Sequence, residues 1–122
     1  MGSIKITNGI TDDILDEVYK MHQYDVDDLC QIPGIGVKAM SKEELTAKIY
    51  SFKKFFDKIK EINTFDGGIQ ILFDTGASLI QHKYSMGFKD NLWELWAGTD
   101  EPVGYLEADE VNDRLAEYFG RG

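Results

Sequence analysis

GGIQILFDTGASLIQHKYSMGFKDNLWELWAG, residues 67–98, holds both Trp residues and the densest strand-like sequence in the chain. Ile69, Ile71 and Phe73 alternate with Gln70, Leu72 and Asp74. Ile80, His82, Tyr84 and Met86 alternate with Leu79, Gln81, Lys83 and Ser85, and Trp93, Leu95 and Ala97 with Leu92, Glu94 and Trp96. Period-two alternation marks half-buried strands. Thr75-Gly76-Ala77 and Gly87–Asn91 are short enough to join antiparallel neighbours. The stretch predicts a three-stranded antiparallel meander with one mainly apolar face.

Helical patterns flank it. Ser41-Lys42-Glu43-Glu44 is a capping box, after which Leu45, Ile49, Phe52, Phe56 and Ile59 recur at steps of three and four. This predicts a helix from Lys42 to about Ile62 with Lys53, Lys54, Lys58 and Lys60 off the apolar stripe. Upstream, Thr11 is an N-cap candidate, and Ile14, Leu15, Val18 and Met21 predict a first helix to about His22. Asp25–Asp28 reads as a solvated turn or the start of a short helix. Ile4–Thr7 reads as a short edge strand. Downstream, Glu101-Pro102 breaks the chain, and acidic Glu107, Asp109 and Glu110 open a final helix whose inner face is Val111, Leu115 and Tyr118 or Phe119. The expected fold class is α+β over residues 1–122 as a single domain, with two N-terminal helices, the three-stranded antiparallel meander and a C-terminal helix packed on it.

The chain has 122 residues, 43% of them hydrophobic, enough for an ordinary core. It contains no apolar run of membrane-spanning length and no signal-like N-terminus, and Cys30 is its one cysteine, so the expectation is a cytoplasmic protein. The net charge of −9 is unevenly spread. Residues 36–62 carry seven Lys against four acids, whereas residues 63–122 carry eleven acids against four basic residues. An acidic body repels bare phosphate and attracts a basic partner.

Two short motifs suggest chemistry. Phe73-Asp74-Thr75-Gly76-Ala77-Ser78 resembles the active-site signature of aspartic peptidases, whose short retroviral-type members act as homodimers with one Asp from each subunit. Only 30 residues separate Asp74 from Gly104, too few for a substrate flap and crossed catalytic loops, and the preceding half reads as helical. Asp-Thr-Gly-Ala is equally good hairpin-turn sequence. Ile32-Pro33-Gly34-Ile35-Gly36-Val37-Lys38-Ala39 resembles the hairpin of helix-hairpin-helix DNA-binding proteins, which would place phosphate contacts at Gly34–Lys38. The capping box at Ser41 and the net charge weigh against this, so direct nucleic-acid binding is not the leading expectation. His22 and His82 lack His or Cys neighbours at ligand spacing, and no phosphate-binding glycine loop is present, so no metal, cofactor or catalytic residue is assigned. His82 reads as a core histidine, and Trp93, Trp96, Tyr84 and Phe88 as the core side of the sheet with one or two rings exposed.

Leu72–Gly76, Ser78–His82, Gly87–Leu95 and Gly104–Asn112 together resemble a group of small proteins encoded by tailed phages and prophages, over about half the chain. That resemblance carries over no catalytic residues. Together with the acidic charge, it leads to the expectation of a non-enzymatic interaction protein of phage or mobile-element origin, anti-CRISPR-like in inhibiting a host defence enzyme in the host cytoplasm, or an immunity protein that neutralises a basic nuclease toxin with the same surface. The expected interaction residues are Asp100, Glu101, Glu107, Asp109, Glu110, Asp113 and Glu117. The expected partner is a protein with a basic surface, such as a nucleic-acid-processing enzyme, with no membrane involved. A nucleic-acid module using Gly34–Lys38 is the second expectation, and a homodimeric peptidase using Asp74 the third.

Overall fold

In a computed structural model, residues 2–7, 9–31, 39–65, 67–82, 92–98 and 101–120 are described. The elements run β1 (Gly2–Lys5), α1 (Asp12–Cys30), α2 (Lys42–Tyr50), a 3-10 segment (Lys53–Lys58), β2 (Ile59–Phe65), β3 (Gly68–Phe73), β4 (Ser78–Gln81), β5 (Trp93–Trp96), β6 (Val103–Leu106) and α3 (Ala108–Gly120). The strands form one six-stranded sheet in sequence order, and every neighbouring pair is antiparallel. The expected three-stranded meander preceded by two helices is therefore not the fold.

The register explains why this sheet holds together. Ile4, Ile62, Ile71, Leu79, Leu95 and Val103 are successive cross-strand partners, a row of branched side chains spanning all six strands. The four central members are at most 2% exposed. Directly paired residues share a face, so this row sets the inner face. Leu15 and Val18 of α1, Leu45 and Ile49 of α2, Phe52 and Phe55 of the 3-10 region, and Val111 and Leu115 of α3 join it in one core. Phe119 packs against Phe55 and Phe73 at centroid separations of 5.7 and 6.0 Å.

The opposite face carries no helix among the described residues. There, side chains bond one another across four strands. Ser3 Oγ donates to Glu61 (3.1 Å), Asn63 Nδ2 to Gln70 Oε1 (3.0 Å), and Gln70 Nε2 to Ser78 Oγ (2.9 Å).

The predicted helix from Lys42 to Ile62 is the largest correction. Its start is as expected, since Ser41 Oγ accepts the Glu44 N–H at 3.1 Å. It ends at Tyr50, where Phe52 N–H bonds Ile49 O in a tightened last turn. Ile59–Phe65 is a strand between β1 and β3. The misleading signal has a physical source. Ile59 and Ile62 are three residues apart, a helical spacing, yet both are buried on the inner face of a strand. An irregularity in the β2–β3 pairing between Ile59 and Glu61 adds one residue, which brings Ile59 back into phase with Ile62.

Other differences are smaller. Thr11 caps α1 as expected, its Oγ1 accepting the Ile14 N–H at 3.3 Å, but the helix runs on through Asp25–Asp28 to Cys30. An ion pair between Lys42 and Asp16 ties α2 to α1; both groups are about half exposed, so solvent screens it. β4 faces the other way from the expected pattern. Leu79 and Gln81 point inward and Ile80 outward, because Ile71 and Ile69 of β3 are their partners. β6, unexpected from the sequence, pairs with β5 through a bulge in which Gly104 and Tyr105 oppose Glu94. Tyr105 has φ 59° and is 62% exposed. The expected Gly87–Asn91 turn lies outside the described residues.

Two glycines separate steric from conformational need. Gly76 (φ 95°) closes the three-residue turn Asp74–Gly76 between β3 and β4, where Phe73 N–H bonds Ala77 O at 2.9 Å. A Cβ there would meet nothing within 4 Å. At Gly68 a Cβ would lie 1.8 Å from the Gln81 carbonyl oxygen, so the β3 and β4 backbones must separate to admit it. In urea denaturation, Gly76→Ala is expected to cost about 1 kcal/mol. Gly68→Ala is expected to cost about 3 kcal/mol or to prevent folding.

Candidate functional site

On α2 and its C-cap, Glu44, Lys48 and Ser51 follow one another at steps of four and three, beside the core stripe of Leu45 and Ile49. That row faces the start of α3 and the start of β5 across a cleft of about 630 Å³, which Glu44, Lys48, Trp93 and Glu107 line among others. The floor is well fixed. Trp93 is 4% exposed, and its ring meets Phe52 edge-on at 5.0 Å.

Lys48 is held within this cleft from two sides. Buried Gln81 donates its amide N–H to Leu92 O at 3.1 Å, which turns its oxygen toward α2. Lys48 Nζ donates to that oxygen and lies 5.8 Å from the Trp93 ring centroid. Partial burial holds the Lys48 ammonium below the ordinary lysine range, and Glu44, one turn earlier, opposes that shift.

Beneath the cleft α1 contributes His22, which is fully buried. Its Nε2 accepts the Met40 N–H at 2.8 Å, fixing the neutral tautomer with the proton on Nδ1. Nδ1 has no hydrogen-bond partner among the described residues. Burial lowers the His22 pKa; Asp25 opposes this and the charge of Lys48 adds to it. Two helices, α1 and α2, thus bring ionisable groups within electrostatic reach of one another. The expectation for His82 is partly met: it is 9% exposed and follows the end of β4. Among the described residues no group of three His, Cys, Asp or Glu is placed to hold a metal ion.

Of the sequence-predicted acidic residues, Glu107 lines the same cleft. Glu101 is exposed ahead of β6, and Glu107, at the cleft rim, immediately precedes α3. Asp109, Glu110, Asp113 and Glu117 are all exposed on α3, with Arg114 the one basic residue of that helix. Glu110 has a local task, since its Oε1 accepts the Glu107 N–H at 3.2 Å and caps the helix start. Asp109, Asp113 and Glu117 recur at steps of four and so form one line about 12 Å long. Asp100 and the Gly34–Lys38 hairpin lie outside the described residues. Asp74 sits exposed in the β3–β4 turn. Lys53, Lys54 and Lys58 lie in the 3-10 segment and Lys60 in β2, so the continuous Lys-rich helical face expected from the sequence does not form.

Lys48 and Gln81 were not singled out by sequence. The four-residue step from Glu44 to Lys48 is visible there, but it marks solvated helix faces as often as clefts. Only the β3–β4 register brings Gln81 inward to meet Lys48.

His22 gives a pH dependence with a definite sign. Its folded-state pKa lies below 6.5, so the unfolded chain takes up the proton first. Its contribution is complete above about pH 6.5 and is lost as pH falls through the lower folded value, by at most about 1.4 kcal/mol per pH unit. Urea titrations at pH 7.5 and 5.5 should show lower stability at 5.5, and His22→Gln, which keeps an acceptor for Met40, should reduce that difference.

No family model, curated protein or solved structure matches this chain.

Proposed function

We propose that this chain is a non-enzymatic interaction protein that binds a basic surface of a protein partner through the acidic face of α3. The observation that carries the proposal is the exposed line of Asp109, Asp113 and Glu117. Like charges four residues apart destabilise a helix, and acids toward its C-terminus oppose the helix dipole. Asp113 therefore does not serve the local stability of α3, unlike Glu110, which caps it. Glu101 and Glu107 extend the negative surface past the helix start, and the chain's net charge of −9 gives it long-range reach toward a cationic partner.

The resemblance to phage and prophage proteins supplies the specific form of the reading. Carboxylates would occupy the basic site where a host defence enzyme holds nucleic acid. Binding of this kind is steered electrostatically and weakens with salt.

The test is capture of partners from a host lysate at low and high salt, with wild type beside Asp109→Lys/Asp113→Lys/Glu117→Lys. Because these side chains are exposed, the triple variant should melt within a few degrees of wild type. It should lose partners that wild type retains at low salt and releases at high salt. Unchanged capture by a folded triple variant would sink the proposal.

A further inference from the structure

Where α2 gives way to the 3-10 segment, an aromatic ring and two lysines border the same hollow beside α3. We propose that this cleft, lined by Tyr50, Ser51, Lys53, Lys54 and Asn112, binds a small phosphate ester carrying an aromatic ring, of the nucleoside monophosphate kind.

Three observations carry the inference. The first is charge. Of three clefts formed by described residues, the one at Trp93 has Glu44 and Glu107 in its lining and the one beside β1 has Asp25, whereas Lys53 and Lys54 meet no carboxylate in theirs. Neither lysine is in an ion pair among the described residues. In a chain of net charge −9, the hollow is therefore a local positive site. Asp109, Asp113 and Glu117 of α3 are not part of its lining.

The second is the aromatic wall. Tyr50 is 42% exposed, and Phe56 meets its ring edge-on at 5.3 Å, which holds the ring in place and leaves area for a ligand to stack on. At about 490 Å³ the cleft has room for a ring and its phosphate.

The third is the backbone around it. Carbonyl oxygens at the end of a helix repel an anion. Here several are engaged: Ala47 O accepts the Ser51 N–H and hydroxyl, each at 3.0 Å, and Ile49 O accepts the Phe52 N–H at 3.1 Å. Ser51 O accepts from Asn112 Nδ2 at 2.8 Å, and the same nitrogen donates to Ala108 O at 3.1 Å, which fastens α3 to the end of α2. The two ammonium groups supply donors to phosphate oxygens, and the Tyr50 ring offers the stacking position. An aromatic phosphate uses both halves of the site, whereas a bare anion or an uncharged ring uses one.

The experiment is a titration of the intact, isotope-labelled chain with adenosine monophosphate, followed by amide chemical shifts in NMR at low salt. Saturable shifts in the millimolar range should appear at the backbone amides of Tyr50, Ser51, Lys53 and Lys54 and at the Asn112 side chain. Adenosine alone and inorganic phosphate alone should each bind about tenfold more weakly, the loss expected from giving up one of two contacts. Lys53→Gln/Lys54→Gln replaces exposed side chains, so it should keep the wild-type spectrum elsewhere and lose the response to adenosine monophosphate. Tyr50→Leu should weaken the nucleotide a few fold and leave the response to inorganic phosphate unchanged. No saturable shift, shifts spread over other exposed lysines such as Lys5 and Lys20, or an unchanged response in folded Lys53→Gln/Lys54→Gln would each overturn the proposal. So would inorganic phosphate binding as tightly as the nucleotide, which would mark an adventitious ion only. A single-stranded oligoadenylate that binds far more tightly than the mononucleotide, with shifts beyond the cleft, would assign the surface to nucleic acid and overturn it as well.

Discussion

One row of side chains governs this structure. Ile4, Ile62, Ile71, Leu79, Leu95 and Val103 stand opposite one another across six strands, and the covering helices complete a core upon it. Slipping any strand by one residue would move its member of the row to the other face and expose it. The same register that buries the row turns Gln81 inward and puts Trp93 beneath α2. The cleft and its lysine are therefore consequences of how the apolar row is satisfied.

Burying Gln81 is costly unless both ends of its amide are bonded. Leu92 O takes one end and Lys48 the other. This couples three elements through a single side chain, and it explains why a lysine sits partly buried in a chain whose other described lysines mostly lie at the surface. His22 performs a comparable service on the α1 side, accepting the backbone N–H of Met40 just before α2 begins. α2 is thus tied to the sheet through Lys48, and its approach is tied to α1 through His22, by polar contacts as well as by apolar packing.

How much of this was legible in the sequence depends on how local each signal is. The caps at Thr11 and Ser41, the inward alternation of β3 and β5, and the inner face of α3 involve neighbours in the chain, and they were readable. The extent of α2 was not, because the β2 irregularity gives Ile59 and Ile62 a helical spacing with no Gly or Pro to mark the break. β4 was read on the wrong face because Ile80-x-His82-x-Tyr84-x-Met86 is the more apolar set by composition, while its actual facing follows from Ile69 and Ile71 across the hairpin. β6 was missed for a similar reason: Gly104 and the bulge at Tyr105 erase its alternation. The acidic side of α3 was visible in the sequence. The Lys48–Gln81–Trp93 arrangement was not, since its members come from three elements joined only by register.

The bulge in β6 has a further consequence for the molecule among its own kind. An open antiparallel sheet ends in two strands whose outer backbone groups form a template for another chain. At one end that strand is β1, only four residues long and carrying Lys5. At the other, the left-handed turn of the backbone at Tyr105 interrupts the straight ladder that an incoming strand would have to match. Among the described strands both margins are thereby blunted, and backbone shape works against pairing a further strand onto either one.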